Sequence, residues 1–169
     1  MCVGFAGGTG WVGGERGPPG ATAGGEGIRL GRRQAMGYDA GMKLRKIVSG
    51  GQTGADQGAL AACVQRKFPY GGWVPKGRRS EKGRVPATYR LRQHWSRHYP
   101  PRTEKNVVES DGTVVFTFGP PDGGSRLTID FARQHRKPWL AVDLTREGAA
   151  AAAKVVRWVK RRLPDRAVL

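Results

Sequence analysis

The sequence predicts a Rossmann-like α/β domain over residues 42–169, a three-layer sandwich with a mainly parallel central sheet, preceded by a Gly-rich extension over residues 1–41. Three observations carry that expectation. From residue 46 onward, apolar and β-branched runs alternate with helix-like stretches, the order of parallel strands joined by right-handed crossovers. Two glycine turns each follow such a run and open a helix-like stretch: Ser49-Gly50-Gly51-Gln52-Thr53-Gly54-Ala55-Asp56 and Gly119-Pro120-Pro121-Asp122-Gly123-Gly124-Ser125. Residues 1–41 hold 14 of the 27 glycines and few large aliphatic side chains, too little apolar surface to offset the entropy of ordering them, so that segment reads as disordered.

The elements follow in order. A first strand is expected near 45–49, then a helix-like stretch over 58–67. Thr53 is its expected cap, Asp56 the capping-box partner, and Ala59/Cys63 and Leu60/Val64 the pairs on its inner face. Pro69 stops it, and Gly71-Gly72-Trp73-Val74 reads as a short strand. Residues 75–103 lose periodicity, with four prolines and ten Lys/Arg against two acids between Lys76 and Lys105. A loop with at most short helices is expected there, and loops of that length are usually functional or disordered. A helix over 103–110 capped by Thr103, a strand over 113–118 and a helix capped by Ser125 come next. Residues 138–142 form a continuous apolar run, expected as a central strand covered on both faces. The last helix starts at Thr145 and runs through the alanine tract to Leu163, its apolar stripe being Ala152, Val155, Val156, Val159 and Leu163.

Charge narrows the partners. The formal net charge is +17, nearly all of it after residue 41, which favours phosphates, nucleic acid or an anionic surface. Cys2 and Cys63 are the only cysteines; one falls in the extension and one in a helix, so no disulfide framework is expected. There is no secretory-type start and no apolar run long enough to span a membrane. The cytoplasm is the expected location. Met42 is a plausible initiator for the folded part.

The chemistry concentrates at the two glycine turns. A strand, a glycine turn and a helix start present free backbone N–H groups to an anion. Ligands of parallel sheets sit at the carboxyl ends of the strands, where both turns are expected. The first turn lacks the Gly-Lys-Ser/Thr ending of a Walker loop, so ATP hydrolysis is unsupported. Gly8-Thr9-Gly10-Trp11-Val12-Gly13 matches a dinucleotide fingerprint but has neither a strand before it nor a helix after it. Lys76, Arg78, Arg79, Arg102 and Lys105 offer bidentate or point-charge contacts to phosphate, and His94, Trp95, His98 and Tyr99 interleave with them as stacking surfaces. His94, His98 and His135 lack the acid or cysteine needed to complete a metal site.

Several segments, in order over residues 46–143, resemble the putative molybdenum carrier family, whose members are similar to molybdenum-cofactor carrier proteins. They are Ser49-Gly50-Gly51-Gln52-Thr53-Gly54-Ala55-Asp56, Gly71-Gly72-Trp73-Val74-Pro75-Lys76-Gly77-Arg78-Arg79, Arg102-Thr103-Glu104-Lys105-Asn106-Val107, Ser110-Asp111-Gly112-Thr113, Gly123-Gly124-Ser125 and Lys137-Pro138. The resemblance implies a Rossmann-like fold related to the lonely-guy phosphoribohydrolases and the DNA-processing protein DprA. It also implies binding of molybdenum cofactor (molybdopterin) or a similar phosphorylated heterocycle, and homo-oligomers. The matching positions are Gly50, Gly51, Gln52, Thr53, Gly54, Asp56, Lys76, Arg78, Arg79, Gly123, Gly124 and Ser125. Val74 stands where the family often has Cys, which excludes a thiol role there. The family commonly continues into a further strand, and its lack here would either leave a sheet edge bare or weaken any site built from that end.

The resulting expectation is a domain that binds and shields a small phosphorylated, planar ligand, with no catalytic residue assigned. The backbone after the first strand and at Gly123–Ser125 would hold the phosphate, and Lys76, Arg78 and Arg79 would neutralise it, with Arg102 a further candidate binding residue. Asp56 and Asp111 would bond polar ring or hydroxyl groups, or fix the loops. Two alternatives stay open: N-glycosidic hydrolysis of a nucleoside monophosphate with Asp130 as the acid, and single-stranded nucleic-acid binding by the basic loop.

Overall fold

The computed structural model of the chain describes residues 44–164 and 167–169. The Gly-rich segment 1–41, its Gly8–Gly13 motif, Cys2 and Met42 lie outside the described residues. Strand β1 (Ile47–Val48) passes through the first glycine corner into α1 (Ala55–Gln65). β2 (Tyr70–Gly71) and β3 (Trp73–Val74) are one run broken at Gly72. An antiparallel hairpin of β4 (Arg79–Ser80) and β5 (Gly83–Arg84) follows, then β6 (Arg92–Gln93). The order continues with α2 (Tyr99–Val108), β7 (Thr113–Thr117), α3 (Gly123–Gln134), β8 (Trp139–Asp143), α4 (Leu144–Glu147) and α5 (Ala151–Arg162).

Three parallel ladders, β1 with β2, β3 with β6 and β7 with β8, carry the sheet. Hydrogen bonds continue between them. Ser49 N–H donates to the Gly71 carbonyl and Arg92 N–H to that of Gly72. The gap between β1 and β7 is filled by residues 167–169. Val168 bridges Lys46 in parallel, Leu169 N–H donates to the Lys46 carbonyl, and Asp111 N–H donates to the Val168 carbonyl at 2.7 Å. That flank of β1 is therefore paired rather than bare. Three residues satisfy it because their backbone groups bond on both sides, and Leu169 is buried among Val114, Val142 and Val159.

Helices cover both faces where β7 meets β8. Val114, Val142, Ala151 and Val159 form a cluster on the α5 side, joined by Val155 and Leu163. Val107 and Ala132, with Phe131 and Trp139, pack on the side of α2 and α3. The fold is thus Rossmann-like. A second core of Leu60, Val74, Val85 and Leu91 lies beneath the first glycine corner. Filling it stabilises the corner by about 1.5–3 kcal/mol per fully buried aliphatic side chain.

Local expectations fared unevenly. Leu60 and Cys63 are buried on α1 and Ala59 is half-buried, but Val64 is 51% exposed, so the expected Leu60/Val64 pair does not form the inner face. Burial pushes the Cys63 thiol above its ordinary pKa. Gly54, not Thr53, is the α1 cap, because the Asp56 carboxylate is spent across the loop instead. α2 begins at Tyr99 after His98, with prolines in its first turn, and Thr103 lies inside it, its hydroxyl donating to the Tyr99 carbonyl. Asp122 rather than Ser125 precedes α3. β8 pairs only with β7 among the described residues; its apolar run reports two covered faces, not a central place. In the 75–103 stretch, the expected loop contains the β4–β5 hairpin and β6. The final helix is divided: the Asp143 carboxylate caps α4 through Thr145 N–H, and Ala152 is exposed.

Candidate functional site

The first glycine corner is built around Asp56. Its carboxylate accepts from Ser49 Oγ at 3.1 Å and from Gln52 N–H at 3.0 Å, and Ser49 Oγ accepts from Gly51 N–H at 3.2 Å. These bonds fold residues 49–56 into a closed turn. Gly51 and Gly54 take φ of 70° and 81°, which side chains other than glycine rarely adopt. Gln52 carries the turn outward: Nε2 donates to the Arg79 carbonyl and Oε1 accepts from Glu81 N–H, tying the corner to the hairpin. Among the described residues, the N–H groups of Gly50, Thr53 and Gly54 make no protein hydrogen bond.

Arg102 faces this corner from the first turns of α2. It is 6% exposed, and its guanidinium makes no hydrogen bond among the described residues; Nε is fully shielded. A Cβ placed on Gly50 would lie 1.9 Å from Arg102 Nη1, so only glycine admits the guanidinium at that distance. Tyr99 lies under the same guanidinium, 5.5 Å from ring centroid to Cζ. Asn106, one turn further along α2, fixes the helix: Oδ1 accepts from Trp73 N–H at 2.8 Å and Nδ2 donates to the Trp73 carbonyl at 3.0 Å. Sequence reasoning missed Asn106, although Arg102 and Asn106 at i,i+4 are the polar pair that a buried helix face would show.

The second corner sits at the same end of the sheet. α2 ends where β7 begins and α3 ends where β8 begins, and Lys137 Nζ holds the Val108 and Ser110 carbonyls together there. The opposite ends of α2 and α3, carrying Arg102 and Gly123–Ser125, therefore both lie toward the carboxyl ends of the strands. Gly123 and Gly124 are exposed, and Ser125 is buried in the first turn of α3. Gly119 N–H donates to Asp143 Oδ1 at 2.9 Å, and that bond, foremost, holds the Asp143 carboxyl below its ordinary pKa.

The remaining sequence candidates separate. Arg78 is committed to the loop: its guanidinium donates to the carbonyls of Val85, Leu91, Pro86 and Tyr89 at 2.7–3.3 Å. Asp111 Oδ2 accepts from Val168 N–H at 2.7 Å, which puts it at the start of β7, away from the corners. Lys76 and Arg79 line an open cleft of about 520 Å³ with Gly77, Arg84, Gln93 and Arg97. Thr53 is half-buried beside the corner, and Gly54 is exposed. Asp130 lies on the surface of α3 between Arg126 and Arg133, at 3.5 and 3.3 Å. His94 accepts from Ser96 N–H, while His135 bonds Glu104 at 2.8 Å. Lys105 stacks over Trp73.

Fold and geometry together define a Rossmann-like α/β domain whose candidate site is a glycine corner at the carboxyl end of a parallel strand, faced by a buried arginine. The sequence of this domain matches the Circularly permutated YpsA SLOG family over residues 47–166, and the chain belongs to that family. A solved structure similar to it is that of a putative molybdenum carrier protein from Syntrophus aciditrophicus SB, 47% identical, with a TM-score of 0.72 over 79% of this chain and 84% of that one. No curated protein matches the sequence. No described helix is long and apolar enough to cross a membrane.

Proposed function

We propose that the domain binds and carries molybdenum cofactor, or a similar phosphorylated heterocycle, as cargo at the corner between Gly50 and Arg102. The observation that carries this reading is the Arg102 guanidinium, largely buried and with Nε shielded and unpartnered, beside the Gly50, Thr53 and Gly54 N–H groups. A shielded donor without a partner costs about 1–3 kcal/mol, and an anion accepting from the guanidinium would recover that cost. Gly50 leaves room for the close approach, and the N-terminus of α1 adds favourable dipole. The phosphate would take Arg102 and the Gly50, Thr53 and Gly54 N–H groups. Asp56 and Gln52 hold the corner in shape without contacting the cargo. Gly123, Gly124 and Ser125 would meet its far side. The name of the 47%-identical relative supports a molybdenum-related cargo. The protein works in the cytoplasm and as a homo-oligomer, which light scattering on the purified chain would measure.

Asp130, the acid that N-glycosidic hydrolysis would need, is engaged by two arginines on the helix surface, and the carboxylate of the corner, Asp56, is bonded to Ser49 and Gln52. The test is thermal denaturation with a phosphorylated pterin and with the same pterin lacking phosphate. The phosphorylated compound raises the melting temperature and the other does not. Equal shifts, or none, would remove the phosphate from the reading.

A further inference from the structure

We propose that the cleft walled by Lys76, Arg79, Arg84 and Arg97 is a second, separate binding site, and that it takes the phosphodiester backbone of a single nucleic-acid strand. It is open, about 520 Å³ in volume, and its walls hold four cations, Gln93 and Gly77 but no carboxylate. Among the described residues none of the four forms an ion pair. Arg79 and Arg84 are directly opposite in the hairpin register, and like charges facing each other across two strands are destabilising. A polyanion lying along the hairpin reverses the sign of that contact.

The number and exposure of the cations favour a strand over a compact anion. Corner and cleft differ in kind: Arg102 is buried and suits one phosphate, whereas Lys76, Arg79, Arg84 and Arg97 are four exposed cations around one open cleft of about 520 Å³. Trp95 lies in sequence between the lining residues Gln93 and Arg97, is 81% exposed, and has its ring tilted 34° against that of His94 at 5.2 Å. An exposed indole two residues from two of the lining side chains, with four cations around the cleft, supplies the combination by which single strands are held: stacking on any base, with charge on the backbone. The hairpin is held rigidly enough to present this surface. Arg78 pins its far side through four carbonyls, and Gln52 anchors Arg79 and Glu81 to the corner.

The experiment is fluorescence anisotropy of the full chain with a labelled 15-nucleotide oligothymidine across a salt series, with inorganic polyphosphate and a blunt duplex of the same length as competitors. Binding is expected, with log K falling linearly against log salt. Arg84→Gln/Arg97→Gln weakens it about tenfold or more and lowers the slope by roughly one to two. Trp95→Ala weakens it about tenfold with the slope unchanged, since stacking contributes roughly 1–3 kcal/mol per base. Thermal melts of the variants establish that they fold. The double variant keeps the melting shift given by a phosphorylated pterin, so this site and the corner fail independently. No binding by the folded protein overturns the proposal. So does affinity indifferent to both variants, a duplex competing as well as the strand, or a Trp95→Ala protein that binds like the original.

Discussion

Arg102→Met tests the candidate site most directly. Methionine keeps the length and much of the volume of the stem while removing the guanidinium. In the unliganded protein the arginine donates no hydrogen bond among the described residues, and its Nε is shielded. The replacement relieves a shielded, unpartnered Nε but gives up the contact with Tyr99 and a positive charge near the buried Asp56 carboxylate, so the net change in stability is within about 1 kcal/mol of zero. For a domain of this size that is a melting temperature within roughly 5 °C of the parent's. With ligand the loss is larger. Two charge-assisted bonds to a phosphate contribute about 1.5–3 kcal/mol each. Losing both weakens binding by roughly 3–5 kcal/mol, some 10²–10³-fold or more. Calorimetric titration with a phosphorylated pterin, run beside denaturation of the free proteins, reads both quantities. A free Arg102→Met protein that is less stable by more than about 2 kcal/mol would show that the guanidinium is already satisfied within the fold. Unchanged affinity would show that it never meets the ligand.

Further outcomes follow from particular contacts. Gly50→Ala displaces only the tip of a flexible arginine, so it folds and loses anion binding, whereas Gly72→Ala, with φ of 130° and its Cβ 2.1 Å from the Ser49 carbonyl, destabilises by roughly 3 kcal/mol or more in urea titration. Arg78→Ala frees four carbonyls and opens the 78–91 loop; limited trypsin digestion cuts the variant there well before the parent. Asp143 has a depressed folded-state pKa, so its contribution is present above the ordinary aspartate value near 4 and is lost as pH falls through the lower folded value; Asp143→Asn flattens the stability profile in that acid range, seen by denaturation at pH 2 to 5.

The strand order and the corners were legible because they rest on composition. Glycine at left-handed positions and long apolar runs announce themselves without partners. What escaped was set by distant groups. Asp56 has the spacing of a capping residue, yet its carboxylate is claimed by Ser49 and Gln52 across the turn. Two-residue strands such as β4, β5 and β6 are too short for any alternation to show, and tertiary pairing alone defines them. The basic residues of the 76–105 stretch look alike in sequence. The fold buries Arg102, spends Arg78 on carbonyls and leaves Arg79 in water, distinctions that depend on what packs behind each one. Arg84 and Arg97 joined the cleft walls without any signal beyond their charge.

The insertion of residues 167–169 between β1 and the approach to β7 has a kinetic consequence. A ladder linking positions 46 and 168 closes the longest loop in the domain, and contacts of such separation slow folding. During synthesis one flank of β1 stays unpaired until residues 167–169 have left the ribosome. Nascent chains halted before that point should therefore be the ones that chaperones hold and proteases clear.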